Sequence, residues 1–404
     1  MAALVLLGCQ ARPPETTTPA AAPVAPVAHS LPEGPTPKDG AHERQAILDL
    51  RQALNNARLH DDVALFRAVD EQSKTALARH PRSPQILHVR AAALLALGRA
   101  KDALPMARTL YQADPKDLVA AGLYSDALRA TGDLAGAVVA VERMMGIAPG
   151  LPTYARAAQL RAATGDVDGS LQMWREAFEA GSHGAPEGLA FCATSTADLL
   201  FFGKGQLKGA RASYDLALKA VPGYPAARVG RARLHLAEGR AAEALADLDA
   251  IAPAGNSAES VALKAAVLLS LGRAPLPEAL RDELLALADR GPRETALALA
   301  TFKLDLPRAR ELALQSQGDA GGPDDDDVTG FVLWRAGDLA AALPLSRRAA
   351  RGVDDARVLG GAGLVLAAAK DPAARGLLER ALKKSRAFDP TLAVEALAAL
   401  ATLP

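Results

Sequence analysis

Small and apolar positions recur along this chain in a register of 34 residues: Gly98 and Gly132, Ala103 and Ala137, and Pro115 and Pro149 each stand one such interval apart. Between these landmarks run stretches rich in Ala and Leu, which form helices readily and let neighbouring helices approach closely. Most prolines fall between these stretches or in the N-terminal segment, where they punctuate helices instead of interrupting them. The pattern predicts pairs of short helices joined by tight turns and stacked in a row, because one such pair cannot bury its apolar face alone.

Further units follow with some drift in length. Gly165 leads one with Ser170, Trp174 and Ala177. After the insertion Gly181 to Pro186, Gly205 leads another with Ala210, Tyr214, Ala217 and Pro222. Gly239 pairs with Ala244, Gly272 marks a degenerate unit, and Asp305-Leu306-Pro307 turns the next. Gly337-Asp338 precedes Ala342 and Ala349, Lys370-Asp371 precedes Ala374 and Ala381, and a diverged first unit ends at His80-Pro81. These landmarks resemble the tetratricopeptide repeat (TPR) family, whose 34-residue unit has small residues at positions 8, 20 and 27, Gly at 15 and Pro at 32. Ala91 and Ser125 fall at position 8. The resemblance runs strongly from Ser83 to Pro222 and weakly from Ala254 to Pro323. It implies an all-α, right-handed α-solenoid of about nine to ten TPR-like helical hairpins, broken near Gly181 to Gly188 and Gln317 to Asp327. It also places Trp174 and Tyr214 at a position the family fills with bulky packing residues.

Each landmark has a physical task. Gly at position 15 takes the left-handed conformation that ends the first helix of a hairpin. The aspartates that follow it, Asp133, Asp166 and Asp338, are placed to cap the second helix. The final helix, from about Pro390 to Leu403, has few polar side chains beyond Glu395. A solvated cap would carry a polar outer face, so this helix is expected to dock on a neighbour.

The organisation expected is a signal over residues 1–9, a tether over 10–42, a superhelix over 43–317, an acidic loop over 318–327 and further hairpins over 328–404. The short apolar run at the start ends in Leu6-Leu7-Gly8-Cys9 and resembles the lipobox of bacterial lipoproteins. By that resemblance Cys9 is the lipidated residue, and Gln10 after it favours the outer membrane, with the repeats facing the periplasm. No Lys or Arg precedes the run, which fits a true start lying further upstream. A chance likeness on a cytoplasmic TPR adaptor is the alternative. The Pro/Ala/Thr-rich segment to about Gly40 has too few large apolar residues to order itself. It reads as a tether reaching about 30 Å as a coil and about 95 Å fully extended.

Charge and composition narrow the function. The 46 basic and 46 acidic side chains balance, so no field draws the chain to nucleic acid. With only two cysteines, a disulfide framework or a four-cysteine zinc site is out of reach, and Cys192 in the run Phe191-Cys192-Ala193 reads as a core residue. The histidines show no metal-binding spacing, and Gly203-Lys204-Gly205 lacks the rest of a phosphate-binding loop. Asp324 to Asp327 lacks the downstream Glu of a calcium loop and reads as a loop capping a helix that starts near Val328. No metal, no cofactor and no catalytic residue is expected, and the repeats leave no room for a catalytic module, which sets aside an enzyme with a helical-repeat arm.

What remains is protein binding. If position 8 packs against the second helix, positions 5, 9 and 12 form an adjacent stripe that the TPR resemblance places on the concave face. It holds His88, Ala92 and Leu95, then Gly122, Asp126 and Arg129, then Ala155, Gln159 and Ala162, then Ser195, Leu199 and Phe202, then Val229, Arg233 and Leu236. His88, Asp126, Arg129, Gln159, Phe202 and Arg233 are the expected partner contacts. Arg129 and Arg233 are the best handles, expected to be replaceable by Glu with little change in melting temperature. The stripe suits an extended peptide or helix, and it lacks the repeated Lys and Asn of relatives that clamp acidic C-termini. The expected function is a membrane-tethered protein-interaction scaffold or assembly factor.

Overall fold

In a computed structural model, the described residues run from 39 to 403 apart from 61–62, 115, 182–183, 185, 252–255, 274–275, 318–322 and 386–388. Among them the chain is all-α, with twenty-one α-helices and no strand. The helices alternate as the first (A) and second (B) members of ten hairpins. The A helices are α1 (Asp39–His60), α3 (Pro84–Ala96), α5 (Leu118–Ala130), α7 (Leu151–Ala163), α9 (Pro186–Asp198), α11 (Pro225–Ala237), α13 (Ala258–Ser270), α15 (Pro292–Thr301), α17 (Pro323–Arg335) and α19 (Ala356–Ala368). The B helices are α2 (Val63–Arg79), α4 (Ala100–Ala113), α6 (Leu134–Ile147), α8 (Val167–Ala180), α10 (Leu207–Ala220), α12 (Ala241–Asp249), α14 (Pro277–Ala286), α16 (Leu306–Gln317), α18 (Leu339–Ala349) and α20 (Ala374–Lys384); α21 (Leu392–Thr402) ends the array. One π turn, Leu199–Gly203, extends α9.

Each helix packs on the next, and A helices also touch the A helix of the following hairpin. The A helices therefore form the inner layer of the solenoid and the B helices its outer layer. This inner contact weakens between α7 and α9, where the insertion after Gly181 was expected to break the stack.

The turns follow the expected chemistry. Gly98, Gly132, Gly165, Gly205, Gly239, Gly272 and Gly337 all have positive φ. Asp133, Asp166 and Asp338 accept hydrogen bonds from the amides of Gly136, Gly169 and Ala341, capping α6, α8 and α18. Small polar residues stitch the two helices of a hairpin together: Ser125 Oγ donates to the Ala137 carbonyl at 3.3 Å and Ser170 Oγ to that of Ala158 at 2.7 Å. Trp174 and Tyr214 are buried, as is Cys192, and burial pushes the Cys192 thiol up to about 12.

Two turns depart from glycine. Lys303 and Lys370 take the same left-handed conformation, with φ of 53° and 54°. A side chain there is strained, and glycine relieves more strain than it adds in unfolded-state entropy. Lys303→Gly and Lys370→Gly are each expected to stabilise the protein by about 0.5–1 kcal/mol, read as a higher melting temperature. An unchanged or lower value would show that the lysine side chains contribute more than the turns lose.

The acidic run differs from its expected form. Residues 323–327 belong to α17 and not to a loop ahead of Val328, while residues 318–322 lie outside the described ones. The carboxylates of Asp325, Asp326 and Asp327 sit in the first helical turn, where the helix dipole favours them, and arginines neutralise them. Asp326 is buried against Arg348, at 2.8 and 2.9 Å, and Arg293 approaches Asp325 at 3.4 Å and Asp327 at 3.0 Å. The terminal helix docks as expected: Leu392, Ala393 and Ala396 of α21 are buried and Glu395 meets Arg335 at 2.6 Å. The Arg335 guanidinium in turn lies over Trp334, 4.3 Å from the ring centre.

Candidate protein-binding surface

The inner face is built from the A helices, and the expected stripe lies along it in two different settings. In the second to fourth hairpins the stripe is tightly packed. Ala92, Leu95, Gly122 and Ala155 are buried, because successive A helices approach closely enough to cover small side chains. The larger residues keep partial exposure and several are engaged with neighbouring repeats. His88 lies 3.0 Å from Asp117, with its pKa pulled down by burial while the Asp117 carboxylate works against that shift. Asp126 accepts two hydrogen bonds from Arg156, at 2.8 and 3.0 Å, which ties α5 to α7. The Arg156 guanidinium fits over Gly122, where a Cβ would come within 3.0 Å of it. Asp126 is thus an inter-repeat clasp, while Arg129 and Gln159 are half-buried on the same face.

In the fifth and sixth hairpins the stripe is covered by the chain's own C-terminal repeats. The Phe202 side chain is 1% exposed, stacked on Phe201 with ring centres 4.4 Å apart. The Arg357 guanidinium of α19 lies 4.0 Å from the centre of the Phe202 ring, and that of Arg233 lies 5.8 Å away. Arg233 is almost wholly buried and pairs with Glu259 of α13 at 2.8 Å. Sequence spacing placed Phe202 and Arg233 on an open groove. They instead hold two turns of the solenoid together, so neither side chain is a solvated handle.

Backbone contacts close the same seam. Lys384 Nζ, at the end of α20, donates to the Gly203 carbonyl at 2.8 Å across 181 residues of sequence and pairs with Asp354 at 2.6 Å. A Cβ on Gly205 would collide with the Lys384 carbonyl oxygen, and one on Gly165 would lie 2.8 Å from that of Gly352. The turns of the fourth and fifth hairpins therefore rest directly on the ends of the ninth and tenth.

Sequence reasoning missed Asp198. Counted back from Gly205, it occupies the slot that holds Ala91 and Ser125 in earlier repeats. Its carboxylate accepts a hydrogen bond from the Tyr214 hydroxyl. Burial raises the Asp198 pKa while the charges of Arg357 and Arg233 pull it down. The signal was available: a carboxylate in a slot that holds Ala or Ser in other repeats is costly packing that asks for a hydrogen-bonding partner.

Beside this seam, α11, α13 and α21 frame a cleft of about 370 Å³, lined among others by Arg233, Leu236, Leu269, Pro390, Val394 and Leu397. Leu269, Val394 and Leu397 are exposed, which gives the cleft aliphatic walls. Among the described residues no three His, Cys, Asp or Glu side chains converge as metal ligands, and no helix is long and apolar enough to cross a membrane.

Stacked hairpins, glycine turns and a B-helix outer layer define an α-solenoid repeat protein. Residues 94–164 and 201–267 match the tetratricopeptide repeat family model, so these stretches of the solenoid are TPR repeats. A thermophilic TPR protein of Thermus thermophilus is 23% identical, with 48% of this chain aligned to 99% of that one at a TM-score of 0.42. A TPR protein of Parabacteroides merdae is 13% identical, with 68% aligned to 99% at 0.43. Human IFIT1, solved as a dimer with m7Gppp-AAAA, is 14% identical, with 71% aligned to 68% at 0.46. No curated protein matches the chain.

Proposed function

We propose that this chain is a non-enzymatic scaffold or assembly factor that binds other proteins and is held at the bacterial envelope by lipid on Cys9, with its repeats facing the periplasm. The TPR array carries the first part: stacked hairpins present an extended inner surface suited to peptide segments and helices. Its aliphatic cleft and partly exposed polar stripe supply both apolar and orienting contacts. The anchor rests on Leu6-Leu7-Gly8-Cys9 and the Pro/Ala/Thr-rich segment after it, which lie outside the described residues. Each buried methylene adds about 0.8 kcal/mol and stable anchoring takes more than one acyl chain, a requirement that a triacylated cysteine meets.

One experiment addresses both parts. The protein is expressed from its natural gene in cells fed labelled palmitate, with Cys9→Ser alongside, and membranes are fractionated and captured proteins identified. The expected outcome is palmitate on the wild type alone, release of Cys9→Ser into the soluble fraction, and the same copurifying proteins in both after solubilisation. Unchanged membrane association with no label on the wild type would overturn the anchor. Absence of any reproducible copurifying protein would overturn the scaffold.

A further inference from the structure

At the seam, repeats far apart in sequence meet, and they meet differently from neighbouring repeats. Neighbours share apolar cores: one runs from Ala190 to Leu234 and includes Phe201 and Phe202, and another runs from Ala258 to Ala396 through the inner helices of the seventh to tenth hairpins. Among the described residues, no apolar cluster joins the fourth and fifth hairpins to the ninth and tenth. Cations and backbone cross the seam instead. The Arg357 guanidinium rests on the Phe202 ring at 4.0 Å, and Lys384 Nζ, on a partly exposed side chain, donates to the Gly203 carbonyl at 2.8 Å. Between the two sides the chain has a loose joint. In the seventh hairpin α13 and α14 touch less than the helices of any other hairpin, α14 buries only Leu280 and Leu284, and Leu271 and Leu276 beside their turn are exposed.

We propose that the seam is a reversible clasp: the eighth to tenth hairpins and α21 form an arm that swings as one body about the seventh hairpin and is held closed by Arg357 and Lys384. An interface without a shared apolar core leaves relative motion as the default, and a hinge needs only a weakly packed element to absorb it. Opening leaves the cores on both sides in place, because repeats elsewhere touch their sequence neighbours. It lifts the Arg357 guanidinium off Phe202 and widens the cleft between α21 and α13. The closed form therefore hides part of the inner face that the open form presents. This motion belongs to the chain itself and is independent of what the scaffold binds.

Two spin-label pairs in the full chain, in a Cys9→Ser background, separate a swing from unfolding. One spans the seam on Asp168→Cys and Arg351→Cys, and the other lies within the arm on Glu311→Cys and Lys383→Cys, all exposed positions. Arg357→Gln combined with Lys384→Gln removes both cations and is expected to add a long-distance population across the seam, at least severalfold larger than in the parent. Raising salt from about 0.1 M to about 1 M, where the screening length falls from about 10 Å to about 3 Å, should enlarge the same population without any substitution in the clasp. The arm pair and the helical circular dichroism should stay as they were. That salt series carries the test if the double variant does not fold. Seam distances that ignore either the salt or the folded double variant, or arm distances that broaden together with them, would overturn the clasp. Protein capture by the scaffold is a separate readout, so its failure and that of the clasp are told apart.

Discussion

Gly205→Ala should destabilise the protein by about 2–4 kcal/mol, the sum of left-handed backbone strain and a collision with a neighbouring carbonyl. Gly98→Ala is its internal control. Both glycines have similar positive φ, 65° and 73°, so the strain of an added Cβ is nearly the same. Their surroundings differ: nothing lies within 4 Å of a Cβ on Gly98, whereas one on Gly205 strikes the Lys384 backbone. Gly98→Ala should therefore cost only about 1–2 kcal/mol. Long repeat arrays need not melt in one step, so Gly205→Ala is expected to add an early transition as well as to lower the main one. Equal losses in the two variants would mean that the fifth and tenth hairpins do not meet in solution.

Arg233→Glu carries the second large effect, at about 3 kcal/mol, because it breaks a part-buried ion pair and leaves like charges facing each other. The new carboxylate would sit against Glu259, now 2.8 Å from the arginine, and Phe202 would lose one of its two cations. Glu259 keeps partial access to water, which holds the loss toward the lower end of the range for buried pairs. Arg233→Met, which preserves the apolar stem without adding a negative charge, should lose roughly half as much. Chemical denaturation of the two variants decides the matter. A melting curve for Arg233→Glu within a few degrees of wild type would return Arg233 to the solvated groove that sequence spacing suggested.

The contrast between these residues shows what the sequence could carry. Turns were legible because the left-handed conformation selects Gly, and the Asp after it caps the next helix; Gly132-Asp133 and Gly337-Asp338 behave as their chemistry requires. Lys303 and Lys370 hid the same turn behind a residue with no turn preference, although Lys370-Asp371 still betrayed its place in the register. Helix A positions were legible as a stripe, but spacing within one repeat says nothing of what the next superhelical turn lays over it. Phe202 and Arg233 were read as open for that reason, since their covers, Arg357 and α21, come from far along the chain. Asp126 has a second task that the stripe did not show: it pairs with Arg156 of the next repeat, a charge pairing between neighbouring repeats that was visible in the register. The acidic run at Asp324 was read as a loop on composition alone, without the arginines at 293 and 348 that let a helix start among four aspartates.

The account depends most on the solenoid closing on itself between its middle and its end. Spin labels on exposed Asp168→Cys and Arg351→Cys, placed beside the Gly165 to Gly352 contact in a Cys9→Ser background, measure that closure directly, since Cys192 is buried and its thiol stays protonated. A closed seam predicts a single short and narrow distance distribution that broadens and lengthens in Arg357→Ala. A long, broad distribution without that added substitution, and unchanged by it, would contradict the closure.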